Sequence, residues 1–274
     1  MLNGMDMEVS VETLSEAFGF VVSEGFLKAI KAAHARSPDE PHKGLDKFGL
    51  ELGGPLYGFM GGSSAQSLRC PQMPPEFFPF AVRRSRPDIY VGLLVDHPSL
   101  EGEPNTTYAV CVPEHPKRCG VVARDEQELF RWLGAHLDAL DELGVSRGSN
   151  SYDPEAVRES RRSQVFYETA DRFGVVVPEE NTPLALLNGE MRSILIEGRD
   201  PGKVRQAGVG ALKVEAPGAA LALARDLTWF LGHRDHWYQL ATELYVGAYA
   251  MLRRPLLTRI VRREWVRLYG SKGS

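Results

Sequence analysis

The chain has 274 residues, 43% of them hydrophobic, and a formal net charge of -4. At this size a folded chain hides roughly 75% of its extended surface, so one large domain or two smaller ones would fit. Mild acidity excludes a bulk-charge argument for nucleic acid or an anionic membrane as partner, and no apolar run approaches the roughly 18 to 20 residues that cross a bilayer.

The N-terminal stretch MLNGMDMEVS has neither a basic n-region nor an apolar h-region, and the expected address is cytoplasmic. Glu16 to Ile30 (EAFGFVVSEGFLKAI) reads as a helix ended by a glycine, a short extended run, and a second helix begun at Ser23-Glu24. Gly53-Gly54-Pro55 and the stretch from Gly58 to Ser64 lack the GxxxxGK[ST] spacing and the strand and helix context of a phosphate site. Loops are expected there.

From Met73 to Leu133 the pattern turns to strands. The prolines of PPEFFPF (Pro74 to Phe80) fix φ and delete donors, which predicts a rigid extended lead-in to a sheet. Ile89 to Val95 (IYVGLLV), Tyr108 to Val112 (YAVCV) and Gly120 to Ala123 (GVVA) are β-branched and aromatic runs bounded by turn formers. Asp125 stands where a helix N-cap belongs, with Glu128 as its capping-box partner. Leu129, Trp132, Leu133, His136, Leu137 and Leu140 follow as an i, i+3, i+4 stripe that should pack on the sheet.

The order of these pieces resembles the SUKH superfamily, which groups yeast cell-wall synthesis regulators with bacterial immunity proteins. PPEFFPF, the run ending in Val95-Asp96, the next apolar strand and VVARDEQELFRWL carry the resemblance, and the helix, glycine and Ser-Glu motif of residues 16 to 30 is similar to that family's opening. About residues 9 to 140 are covered. Lys31 to Gln72 is longer than the family pattern, and Arg83-Arg84-Ser85-Arg86-Pro87 replaces its usual Asp-Gly turn. The resemblance implies a non-enzymatic protein-binding module that occupies the active face of a cognate toxin, and it transfers no catalytic residue.

Beyond Gly144 the pattern is helical. Residues 144 to 152 (GVSRGSNSY) read as a linker, and Asp153 with Pro154 starts a helix expected to reach Phe173, its core face including Val157, Val165, Phe166 and Ala170. Pro183 to Ile196 reads as a further helix, with Gly189 weakening it by about 1 kcal/mol relative to Ala. Glycines and prolines from Gly198 to Gly218 mark the least ordered connection. Ala219 to Leu231, Asp235 to Leu252 and Leu256 to Tyr269 then read as antiparallel helices joined by turns at Gly232-His233 and Arg253-Arg254-Pro255. Phe173 to Glu179 echoes Phe18 to Glu24, either as a duplication or as a second glycine C-cap.

Candidate chemistry is sparse. His233 and His236 flank Asp235 at a spacing that fits a metal or acid–base role, but they lack an HExxH glutamate and stand at a helix junction, where a histidine commonly caps or packs. Cys111 with His97 or His115 would make a thiol–imidazole pair, yet Cys111 lies in an apolar run where a small thiol is ordinarily buried. With Cys70 and Cys119 it makes three cysteines without CxxC spacing, which argues against a disulfide framework and a thiolate metal site. At the C-terminal helix Arg253, Arg254, Arg259, Arg262, Arg263, Arg267 and Lys272 are opposed only by Glu264, and Arg259, Arg262, Arg263 and Arg267 cluster opposite an apolar side of Leu256, Leu257, Ile260, Val261 and Leu268 with Trp265 at its edge. This is either a solvated bundle face or a surface for nucleic acid, an anionic lipid surface or an acidic partner, of which a protein partner is favoured by the mild overall acidity.

The surface expected to meet a partner lies in the sheet half. Asp88, Asp96, Glu101 and Glu103 bracket the Ile89 to Val95 strand and suit a toxin site built for phosphate, with Tyr90 and Tyr108 as aromatic anchors; solvated loop charges are the alternative. The expected fold class is α+β: a SUKH-like, mostly antiparallel or mixed sheet with flanking helices over residues 1–144, then an all-helical C-terminal domain over 153–274. The expected function is non-enzymatic protein binding, as an immunity protein for a cognate toxin, with no cofactor, metal, nucleic acid or membrane. A regulator or scaffold binding through its helical half, or an enzyme using His233 and His236, are the alternatives.

Overall fold

A computed structural model describes residues 10–40, 43–53, 56, 68–70, 72–95, 107–113, 119–123, 125–136, 175–176, 186–187, 193, 199–231 and 235–269. The chain divides into two compact units. One is built from Met1–Arg69, Glu76–Val112 and Gly120–Ser151, the other from Cys70–Pro75, Pro113–Cys119 and Tyr152–Ser274. The fold is α+β, with a sheet in the first unit and helices in the second.

The first unit opens with α1 (Val11–Phe18) and α2 (Glu24–Arg36). Ser10 and Thr13 form a capping box, Ser10 Oγ accepting from Thr13 N at 3.2 Å and Thr13 Oγ1 from Ser10 N at 2.9 Å. Gly19 ends α1 in the left-handed region (φ 82°), and Ser23 caps α2 by accepting from Phe26 N at 2.9 Å. The helix, glycine and Ser-Glu reading of residues 16 to 30 is therefore the structure observed.

Five strands follow: β1 (Leu50–Leu52), β2 (Phe77–Arg83), β3 (Tyr90–Leu94), β4 (Tyr108–Cys111) and β5 (Cys119–Ala123), adjacent in that order. β1 to β4 pair antiparallel. PPEFFPF is more than a lead-in, because its second half is a strand of the sheet. Proline removes a ladder donor, and the register shifts by a bulge between Pro79 and Ala81. β1 was not anticipated; only three residues long, it pairs Leu52 with Ala81, and Phe80 O accepts from Gly53 N at 2.9 Å.

Side chains alternate along a strand, so the register sorts them onto two faces. Phe78, Leu93, Val91, Tyr108 and Val110 share one face. That face and the bulged Phe80 meet the helical hairpin: Phe20 and Phe78 lie 4.7 Å apart, Phe26 and Phe80 5.3 Å, and Phe26 and Tyr108 6.2 Å. α3 (Glu126–His136) adds buried Leu129, Trp132 and Leu133, which is the described part of the expected stripe. Asp125 Oδ1 accepts from Glu128 N at 2.7 Å, as its N-cap role requires. On the other face a Cβ at Gly92 would fall 2.5 Å from Phe78 O and 2.7 Å from the Phe77 ring. Only glycine admits that ring so close to the strand.

The second unit departs from its sequence reading in two places. Gly198 to Gly218 contains α4 (Pro201–Lys213), whose N-cap Asp200 accepts from Gly202 N at 2.9 Å and Lys203 N at 3.2 Å. Its glycines serve packing. A Cβ at Gly208 would lie 2.8 Å from Leu244 Cδ1, and one at Gly247 would lie 2.7 Å from Leu212 Cδ1, so each helix seats a leucine on the other's glycine. Within the expected helix 183–196, Leu186–Leu187 is instead a strand, β7, paired antiparallel with β6 (Val175–Val176). Leu187 N donates to Asp226 Oδ2 at 3.1 Å, an acceptor that pattern reading cannot foresee. β7 departs from the proposed echo, whose first copy is followed by a helix, whereas β6 falls in its extended run.

α5 (Pro217–Phe230), α6 (Asp235–Met251) and α7 (Pro255–Tyr269) match the three expected antiparallel helices. α5 is buried along nearly its whole described length, Arg225 and Asp226 included, and packs on α4 and α6. α6 packs on α7, with Tyr238 and Trp265 stacked at 6.0 Å. The linker at 144–152 and the helix expected at 153–173 lie outside the described residues.

Candidate functional site

The residues expected to face a partner fare differently from one another. Asp96, Glu101 and Glu103 lie outside the described residues. Asp88 is half-buried and engaged within its own turn, accepting from Arg86 Nε at 3.0 Å and Arg86 Nη2 at 2.8 Å. That hydrogen-bonded pairing holds its carboxyl below the usual range. Arg84 reaches Asp46 at 2.7 Å, and Arg83 Nε donates to Ser85 at 2.9 Å, so the arginine run from Arg83 to Arg86 is engaged by neighbouring side chains.

Tyr108 cannot serve as an anchor. It is fully buried, on the opposite sheet face from Tyr90, because Tyr90 pairs with Cys111 and Tyr108 with Leu93. Its hydroxyl donates to Glu126 Oε1 at 2.7 Å. Burial, reinforced by that carboxylate, pushes its ionisation far above the ordinary tyrosine value. Tyr90 remains half-buried at the start of β3.

Around Glu126 the structure assembles a polar group that the sequence reading missed. Ser23 Oγ donates to the same carboxylate oxygen, and a Cβ at Gly25 would fall 2.5 Å from the Glu126 carboxyl carbon. A negative charge is thereby set at the N-terminus of α2, where the helix dipole favours it. One carboxylate thus ties α2, α3 and β4 together. The signal in the sequence was Ser23 before a helix and an acidic first turn in α3, but nothing in the spacing joins residues so far apart.

The histidine and cysteine readings gain little. His233, His97 and His115 lie outside the described residues; His236 is exposed on the first turn of α6, its ring 4.8 Å from that of Trp237. Cys111 and Cys119 are buried and Cys70 is half-buried, all three as free thiols. Among the described residues no group of three or more His, Cys, Asp or Glu is placed to hold a metal ion, and no helix is long and apolar enough to cross a membrane.

At the α6–α7 turn of the second unit lies a cleft of about 680 Å³. Its walls carry Arg253, Arg254, Arg259, Arg262 and Arg263 with Thr258 and Val266, and among the described residues no Asp or Glu lines it. α7 turns Leu257 and Val261 inward and leaves Arg259, Arg262 and Arg263 exposed, as its periodicity requires. Arg254 departs from that expectation, being 1% exposed. Arg253 sits in the left-handed region (φ 54°) at the end of a Schellman turn, with Arg253 N donating to Ala250 O at 3.1 Å and Arg254 N to Tyr249 O at 2.8 Å.

Compared with known proteins, the chain matches no family model and no curated protein.

Proposed function

We propose that the chain is a non-enzymatic protein-binding module that neutralises a cognate toxin in the cytoplasm by covering its active face, as its resemblance to the SUKH superfamily implies. The supporting observation is how the acidic segment between β3 and β4 is held at its ends. Leu94 N donates to Thr107 O at 2.9 Å, and Val95 N donates to Glu76 O at 2.8 Å. Leu94, Val95 and Thr107 are thus held at the sheet, and the sequence between them, residues 96–106, includes Asp96, Glu101 and Glu103 and no Lys or Arg. Binding residues concentrate on connections of that kind, and clustered carboxylates complement a site built for phosphate. Half-buried Tyr90 stands at the far end of β3 from this segment, so the face reduces to the three carboxylates.

Affinity capture from the native host with the full chain tests this, read by mass spectrometry beside a variant carrying Asp96→Lys, Glu101→Lys and Glu103→Lys. The expected result is one protein that arrests growth when expressed alone, is silenced by co-expression of the native chain, and is lost with the variant. Equal capture and silencing by the variant would remove this face from the function. A captured protein with no growth effect would remove the toxin-neutralising role.

A further inference from the structure

We infer that the cleft at the α6–α7 turn docks a carboxylate-rich segment of a partner protein, independently of the acidic face on the sheet unit. Arg253, Arg259, Arg262 and Arg263 line it and are exposed, their guanidinium groups stay protonated at any physiological pH, and among the described lining residues there is no Asp or Glu. Like charges gathered in one concave place raise the local positive potential and draw an anion there.

The chemistry of the turn narrows the occupant. At the turn itself the backbone N–H groups of Arg253 and Arg254 are bonded to α6 carbonyls and Pro255 has none, so none of the three is available to a bound anion. Recognition is left to side chains. Arg259, Arg262 and Arg263 recur at i, i+3 and i+4 on α7, and guanidinium forks at that spacing match successive carboxylates of a peptide bidentately. Val266 is 63% exposed on the cleft wall, an apolar contact that a peptide side chain uses and a sugar–phosphate backbone does not. A volume of about 680 Å³ suits several side chains rather than a single small ion.

Fluorescence anisotropy of the full chain with a labelled peptide of alternating Glu and Leu tests the assignment, with labelled oligothymidylate and inorganic phosphate as competing probes. The peptide should bind at low salt and weaken as salt is added. Arg259→Glu with Arg262→Glu should weaken it about tenfold or more. Arg205→Ala, which breaks an exposed pair with Glu243 away from the cleft, should leave binding unchanged. If the reversed pair does not fold by circular dichroism, Arg259→Lys with Arg262→Lys decides: reduced affinity supports the forked contact, and unchanged affinity overturns it. No peptide binding by the native chain overturns the inference. So does binding that survives charge reversal, or tighter binding of oligothymidylate that the same reversal abolishes.

Discussion

The sheet unit and the helical unit use both glycine and charge in opposite ways. In the sheet unit a carboxylate is consumed internally: Glu126 takes hydroxyl bonds from Tyr108 and Ser23, and Asp88 takes a fork from Arg86. In the helical unit exposed arginines of α7 face a cleft that, among the described residues, no carboxylate lines. Glycine differs as well. Gly92 sits beneath an aromatic ring and a backbone oxygen, neither able to yield, whereas Gly208 and Gly247 sit beneath the ends of leucine side chains. Composition reports how many charges and glycines a chain has; only packing reports which are already committed.

One substitution made in both units is the sharpest way to break that comparison. Gly92→Ala should destabilise by about 3 kcal/mol, because the new methyl meets Phe78 O and the Phe77 ring. Gly208→Ala meets only the movable end of Leu244, and the gain in helix propensity of about 1 kcal/mol offsets much of that crowding. Urea denaturation of the two variants measures the difference. Equal losses would mean that the α4–α6 contact is as rigid as the sheet.

The internal use of charge predicts a pH dependence. Tyr108 has its ionisation raised by burial and by Glu126, so the native state holds that proton where the unfolded chain releases it. Stability from this source is complete below the unfolded value of 10.0 and declines as pH rises beyond it. Tyr108→Phe should cost about 1 to 2 kcal/mol at neutral pH, since Glu126 loses a donor, and should flatten the decline between pH values of roughly 9 and 11. Denaturation midpoints at the two pH values for native and variant chains check both parts. An unchanged alkaline slope in the variant would assign the decline to other groups.

How far the fold was legible follows the same division. Local signals read well: Gly19, Ser23 and Asp125 stand where caps belong, and the strands at Tyr90 and Tyr108 begin within a residue or two of where β-branched and aromatic residues place them. What failed depends on tertiary partners. The glycines of α4 suggested disorder, because their use against α6 is invisible without Leu244 and Leu212. Leu186–Leu187 reads as helix by composition and forms a strand paired to β6 and bonded to Asp226. Of the candidate site, Tyr108 was misplaced because a tyrosine in an alternating run can face either side until the register is fixed. The basic side of α7 was legible from its period, though the burial of Arg254 was not.

Arg253 carries the smallest expected effect and the most direct link between stability and binding. It occupies the left-handed C′ position of a Schellman turn at φ 54°, where glycine is the usual residue and a side chain costs about 1 kcal/mol. Arg253→Gly should therefore raise stability by about that amount in urea denaturation while removing a charge from the cleft, so affinity for the Glu-Leu peptide should fall by roughly threefold. Higher stability with unchanged affinity would leave Arg253 as ordinary turn strain and narrow the cleft's recognition to α7. Lower stability would show that the guanidinium contributes more to the fold than its backbone conformation costs, and the helical unit would then spend its charges internally as the sheet unit does.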